Sequence, residues 1–225
     1  EILTNTASLF AICIIYRKDI ARLFVHSLSY IRTKNAEYKS DFMFVVFIVI
    51  GTIPAGVLGV MFGDVIAQFF TSMYTIGFTL IITGVALWLI RNLRGKKREG
   101  DLTFKDALLV GVAQAAALIP GISRSGATII TSIAVGMKQD TALRFAFMLY
   151  IPVSLGGMVL GISDLVNTPD LSTLAIPYIS AFFAALFMTY FAMKWFMGIM
   201  ARGNLKYFAY YCFVVGTLLI VFNVL

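Results

Sequence analysis

The chain has 225 residues, of which 60% are hydrophobic, 14% aromatic and only 13% charged. Soluble domains carry about 45 to 50% apolar residues, so this composition excludes a soluble globular protein and defines an integral membrane protein. The net charge of +7 is gathered in a few connections rather than spread over a surface. That argues against nucleic acid as a partner and fits a basic rim on the cytoplasmic leaflet.

The chain opens Glu1-Ile2-Leu3-Thr4, without Met and without the basic, apolar and small-residue order of a signal peptide. The first apolar run, Ile2 to Tyr16, is a candidate span or its second half, short of the roughly 20 residues that an untilted crossing needs. Further sequence ahead of Glu1 is therefore expected. Arg17 to Asp41 carries six Lys/Arg and the only histidine, His26, and reads as a cytoplasmic loop with His26 at its surface. Phe42 to Phe62 crosses outward, its Gly51, Pro54, Gly56 and Gly59 marking a kinked or close-packed helix. The connection from Gly63 to Ser72 holds Asp64 and no basic residue, so it lies outside. Met73 to Ile90 returns and ends in the strongest basic run, Arg91 to Arg98.

Thr141 to Ile162 is a span beginning near Lys138 and Arg144, and Arg144 is expected to snorkel to the headgroups. The loop from Ser163 to Thr173, with Asp164 and Asp170, lies outside. Leu174 to Met193 runs inward to Lys194, Arg202 and Lys206, and Tyr207 to Leu225 leaves again. Six spans result. Cys13 and Cys212 sit in apolar runs with no metal-ligand spacing and read as packing thiols. Every Lys and Arg falls on the inner side of this topology except Arg124.

Both flanks of residues 107 to 135 are inside, so this stretch cannot cross once. Its 29 residues would make about 43 Å of continuous helix, but Pro120-Gly121 divides it into halves of about 20 Å. A re-entrant helix-turn-helix is predicted, with the rest of the chain as a single transmembrane domain. Non-helical backbone at that depth is tolerated only where protein covers it or a polar cavity adjoins it.

Between the two apolar runs lies Pro120-Gly121-Ile122-Ser123-Arg124-Ser125-Gly126-Ala127-Thr128. A guanidinium near the bilayer midplane costs about 2.5 to 3.5 kcal/mol on insertion scales and marks a functional site by default. Ser123 to Thr128 is predicted at or just before the N-terminus of the second half-helix, where free N–H groups and the positive dipole end favour an anion. Ser123, Ser125 and Thr128 offer hydroxyls, Gly121 and Gly126 allow close approach, and Arg124 offers a fork matched to phosphate oxygens. Phosphate is the expected ligand class. Gln114 is either an interhelical hydrogen-bonding group or part of the site. Broken helix ends also hold anions in transporters, so an enzyme and a carrier both stay open.

The run Gln114 to Thr128 resembles the second signature of bacterial undecaprenyl pyrophosphate phosphatases of the BacA type, matching the pattern Pro-Gly-x-Ser-Arg-Ser-Gly-x-Thr throughout. Gly51 to Gly59 resembles that family's Gly-x-x-Pro-Ala span. The resemblance implies a multi-pass protein of the bacterial plasma membrane, built from two inverted repeats, each with a re-entrant hairpin, and a site opening outward between them. It implies removal of the terminal phosphate of a polyprenyl pyrophosphate lipid for reuse in cell-wall synthesis, with Ser123, Arg124 and Ser125 catalytic and with Gly121, Gly126, Thr128 and Gln114 joining them in binding the diphosphate. Dependence on Mg²⁺ or Ca²⁺ is implied as well, and a homodimer stays open. The family's first signature, a Glu-x-x-x-Glu helix leading into a Pro-Val-Ser-Ser-Thr-Gly-His turn, is not matched by His26, and the resemblance places it ahead of Glu1. The alternative from another class is a lipid-phosphate carrier or flippase using the same cradle without hydrolysis.

Overall fold

The computed structural model describes residues 2–69, 72–166, 171–201 and 205–222. Nearly all of them fall in α-helices: α1 (Ile2–Ile15), α2 (Arg17–Thr33), α3 (Lys39–Phe69), α4 (Met73–Ile90), α5 (Phe104–Ala116), α6 (Arg124–Ala134), α7 (Gln139–Val166), α8 (Leu171–Ala201) and α9 (Lys206–Phe222). Stretches within α3, α4, α7 and α8 are long and apolar enough to cross a membrane. The six expected spans also include α1 and α9, which are apolar but have only 14 and 17 residues, about 21 and 26 Å of helix. The protein is an all-helical, polytopic membrane protein.

Several expected connections are helical instead. The basic stretch after Tyr16 is α2 rather than a loop, closed by Lys34 in the left-handed conformation (φ 54°). Its Phe24, Leu28 and Ile31 recur at helical spacing and are exposed, which is how an amphipathic helix lies in a membrane interface. The connection expected from Gly63 is covered by α3 as far as Phe69, and the one expected from Ser163 by α7 as far as Val166, with α8 beginning at Leu171. Asp170 and Arg202, and the side chains of Asp64 and Asp164, lie outside the described residues. Cys13 and Cys212 are free thiols, half-buried and buried respectively.

Close backbone crossings bind the bundle. A methyl group on Gly111 of α5 would come within 2.9 Å of the Gly51 Cα in α3. One on Gly77 of α4 would come within 3.0 Å of the Gly216 carbonyl in α9, and one on Gly216 within 2.8 Å of the Gly77 carbonyl. Small residues let membrane helices approach in this way. α4 packs along α9 and α1 along α8, and α7 packs against α3.

One end of the bundle carries a network of ion pairs. Arg144 on α7 reaches both Asp19 on α2 and Glu99 in the α4–α5 connection, and Arg22 reaches Glu99 at 3.1 Å and Asp41 at 3.4 Å. Arg144 therefore does not snorkel; its side chain is only 20% exposed because two carboxylates hold it inward. His26, half-buried, has Nδ1 2.6 Å from an Asp41 oxygen. Burial pushes the Glu99 carboxyl above its ordinary value, against the opposing pull of Arg22.

The same end ties together the two feet of the α5–α6 unit. The N–H groups of Lys96 and Lys97 both donate to the Gly136 carbonyl at 2.9 Å, and that of Lys138 donates to the Lys97 carbonyl at 2.9 Å. Gly136 has φ +93°, a conformation glycine adopts without steric cost. The Lys97 ammonium donates to both Asp106 oxygens at 2.8 and 3.0 Å, and Asp106 caps α5 reciprocally with Thr103. The chain thus leaves along α5 and comes back along α6 to where it started.

Candidate functional site

The turn between α5 and α6 forms because Pro120 cannot continue the α5 hydrogen-bond ladder and Gly121 takes φ +89°. Gly121 is pressed against α4: a methyl group there would overlap the Thr79 hydroxyl and come within 2.7 Å of the Ile76 Cα. The Thr79 hydroxyl also lies 3.0 Å from the Pro120 carbonyl oxygen, to which it donates, so α4 carries the turn. The chain then enters α6 through Ser123, whose extended backbone and Oγ, accepting from the Gly126 N–H at 3.1 Å, make the N-cap. The predicted start of the second half-helix is thereby observed, with Arg124 as its first residue.

Ser8, Gln114, Arg124, Ser125, Thr128 and Tyr150 line a cavity of about 260 Å³ between α1, α5, α6 and α7. Gln114 is 1% exposed, and neither its amide nitrogen nor its amide oxygen has a partner among the described residues. An unsatisfied buried polar group costs about 1 to 3 kcal/mol, and such groups are rare in native proteins unless water or a ligand completes them. Arg124 forms no ion pair with any described carboxylate. Its guanidinium carbon lies 6.0 Å from the centroid of the Tyr150 ring, and the Tyr150 hydroxyl is held by Asn5 at 2.5 Å. The pocket therefore presents a cation without an ion pair and an amide without a partner among the described residues, beside the positive end of α6.

The predicted residues do not all share this cavity. Ser123 and Gly126 face a separate, mostly apolar pocket of about 220 Å³ on the α4 and α9 side, bordered by Thr83, Phe196 and Tyr211. Ser125 borders both, and its Oγ lies 3.4 Å from that of Ser123. Thr128 lines the first cavity, but its hydroxyl points back to the Arg124 and Ser125 carbonyls at 2.9 and 3.2 Å, leaving only its lone pairs to the cavity. Gly121 reaches neither pocket. Asn5, Ser8, Thr79 and Tyr150 were not among the predicted site residues; their one signal was a polar group inside an apolar run.

No carboxylate, histidine or thiol lines the Gln114 and Arg124 cavity, and among the described residues no three such side chains come together. These residues do not fit Mg²⁺ or Ca²⁺, which take oxygen ligands dominated by carboxylates.

The chain is a polytopic helical membrane protein with an arginine, without an ion pair among the described residues, at a broken-helix turn. Residues 1–218 match the family described as bacitracin resistance protein BacA, and the chain belongs to that family. It is 58% identical over 222 residues to undecaprenyl-diphosphatase 1 of Bacillus cereus, an alignment covering 99% of this chain and 82% of the relative. It is also 58% identical over 224 residues to undecaprenyl-diphosphatase of Oceanobacillus iheyensis, with the same shares covered. Undecaprenyl-diphosphatase 1 of Halalkalibacterium halodurans is 49% identical over 220 residues, with 98% of this chain and 80% of the relative covered.

Proposed function

We infer that this chain hydrolyses undecaprenyl diphosphate, releasing inorganic phosphate and leaving undecaprenyl phosphate for reuse as the cell-wall carrier lipid. The observation that carries this reading is that, among the described residues, Arg124 has no carboxylate and Gln114 no partner, in one cavity at the N-terminus of α6. The high similarity to relatives named for this activity supports it. In the reaction, water adds to the terminal phosphorus, the bond from that phosphorus to the bridging oxygen breaks, and the bridging oxygen leaves with the lipid monophosphate. Phosphoryl transfer depends above all on positioning and on neutralising charge. Arg124 supplies the fork that meets the phosphate oxygens, Ser125 and Gln114 donate to them, the α6 N-terminus adds its dipole, and Ser123 both caps that helix and stands next to Ser125.

The protein is placed in the bacterial plasma membrane with the basic α2 and the Arg91 to Arg98 connection on the cytoplasmic side. In that placement α5 and α6 form a re-entrant hairpin. This is supported by the joining of its two feet through Lys97 and Gly136 and by helices of 13 and 11 residues, about 20 and 17 Å, which are too short to cross a bilayer.

The test is phosphate release from undecaprenyl diphosphate by the purified full chain in detergent, measured beside binding of a non-hydrolysable analogue. Release with saturation by the lipid is expected. Binding of the analogue without release of phosphate from the substrate would replace hydrolysis by carriage.

A further inference from the structure

We propose that Tyr150 is a positioning residue for Arg124: its ring, fixed from the far side by Asn5 of α1, holds the guanidinium in the orientation that meets the terminal phosphate. This rests on the diphosphate reading above and deepens it by naming what aims the arginine.

A bidentate fork works only when it is aimed, and a misplacement of about 1 Å can cost about a hundredfold in rate. Arg124 is the first residue of α6 and carries its charge on a long, flexible stem. The Tyr150 ring faces that charge, with the guanidinium carbon 6.0 Å from the centroid, at the edge of cation–π range. Both side chains line the Gln114 cavity, and Arg124 is the charged residue of its lining. An aromatic face attracts the cation without engaging its N–H donors, which stay available to phosphate oxygens. A carboxylate in the same place would compete with the substrate for the fork.

The ring is itself tethered. The Tyr150 hydroxyl donates to the Asn5 side-chain oxygen at 2.5 Å, with the Asn5 carbonyl oxygen 3.4 Å away, so the bond crosses from α7 to α1. It also accounts for Asn5, an amide inside an apolar helix. The Thr6 hydroxyl, one residue on, donates within α1 to the Ile2 carbonyl at 2.7 Å, whereas the Asn5 side chain reaches another helix. Hydrogen bonds between membrane helices fix one against the other. A bond that only joined α1 to α7 could stand anywhere along their contact; this one ends on the ring that faces Arg124.

The experiment is a double-mutant cycle on Arg124 and Tyr150 in the full chain, read as the rate of phosphate release from undecaprenyl diphosphate with protein in excess, beside the melting temperature in detergent. Tyr150→Leu should slow release about two- to thirtyfold, the span of cation–π energies from exposed to desolvated sites. In an Arg124→Ala background the same change should slow it no further, because the ring then has no guanidinium to aim. Tyr150→Phe keeps the ring and loses the tether, so it should cost less than Tyr150→Leu. Asn5→Leu should match Tyr150→Phe, and the two combined should do no more than either alone. A loss from Tyr150→Leu that is equal with and without Arg124 makes Tyr150 a helix-joining residue and overturns the proposal, as does an unchanged rate. If Tyr150→Leu fails to fold, Tyr150→Phe and Asn5→Leu carry the same cycle with Arg124→Ala. If the unsubstituted chain releases no phosphate, the functional reading alone falls, and the cycle is read on the Kd for undecaprenyl phosphate. Weakening by Tyr150→Leu only where Arg124 is present then supports the positioning role, and equal weakening in both backgrounds overturns it.

Discussion

Two polar regions of this protein are built on opposite plans. At the charged end, Arg144, Arg22, Lys97 and His26 each meet a carboxylate, and Asp41 and Glu99 each serve two partners. At the α5–α6 turn, Arg124 has no carboxylate and Gln114 has no partner for either amide atom among the described residues. Charges that are mutually satisfied hold helices in place. Groups left unsatisfied in a low-dielectric interior are costly unless a ligand completes them. The first region should therefore govern stability and the second turnover, and substitutions can separate the two.

The largest effect is expected at Arg124. Arg124→Ala should lower kcat by about 100- to 1,000-fold, the range seen when one preorganised charge-stabilising donor is removed, while the melting temperature in detergent stays unchanged because no protein carboxylate loses its partner. Arg124→Lys should recover only part of the loss, since it restores charge without the bidentate fork. A melting temperature that falls with turnover would make Arg124 a structural cation. The mirror experiment is Arg144→Met. It leaves Asp19 without its arginine and Glu99 with Arg22 only, and it should destabilise by about 2 to 3 kcal/mol, below the range for a fully buried pair because the site is partly solvated. Its folded fraction should turn over normally. Unfolding in detergent and activity per folded molecule read the two apart.

Much of this contrast was legible in the sequence. Pro120-Gly121 announces a break because one residue removes a backbone donor and the other tolerates positive φ, and Arg124 is conspicuous because it is the one Lys or Arg that falls off the inner side of the expected topology. The helical character of α2 was hidden by its lysines and arginines, which mark sidedness but not backbone; its period of Phe24, Leu28 and Ile31 was the better guide. The partners of Arg144 could not be foreseen, because Asp19 and Glu99 reach it only through the packing of distant segments. The same holds for Thr79 under the turn. Most instructive are the glycines, which look alike in sequence. Gly111 closes onto a neighbouring backbone while Gly156 faces open space, a distinction that exists only between helices.

A third substitution carries opposite signs in the two measurements. Gln114→Met keeps the side-chain volume and removes the unpartnered amide, so the folded state should gain about 1 kcal/mol or stay level. The same change removes a donor to a charged ligand, and kcat/KM should fall by about tenfold, the lower end for hydrogen bonds to charged groups. Loss of stability in Gln114→Met would mean that the amide is satisfied by ordered water in the resting protein and that the contrast between the two regions is weaker than drawn.

The smallest effect is expected at the foot of the hairpin, and it concerns charge that is already paired. Burial alone would raise the Asp106 carboxyl, but hydrogen bonds from Lys97 and Thr103 outweigh it and hold its pKa below the ordinary value. A carboxylate whose folded pKa is depressed contributes stability above its unfolded pKa of about 4, and that contribution fades as pH falls through the folded value. Asp106→Asn should therefore cost about 1 kcal/mol or less near neutral pH, since asparagine can still accept at the cap. The gap between variant and parent should close as the pH falls below the unfolded value of about 4 and through the depressed folded value. A gap that stays constant across that range would show that the cap geometry, not the Lys97 ammonium, is what Asp106 contributes. Turnover should follow neither curve, because Asp106 fixes where α5 begins while Gln114 lies near the helix's other end and Arg124 beyond it.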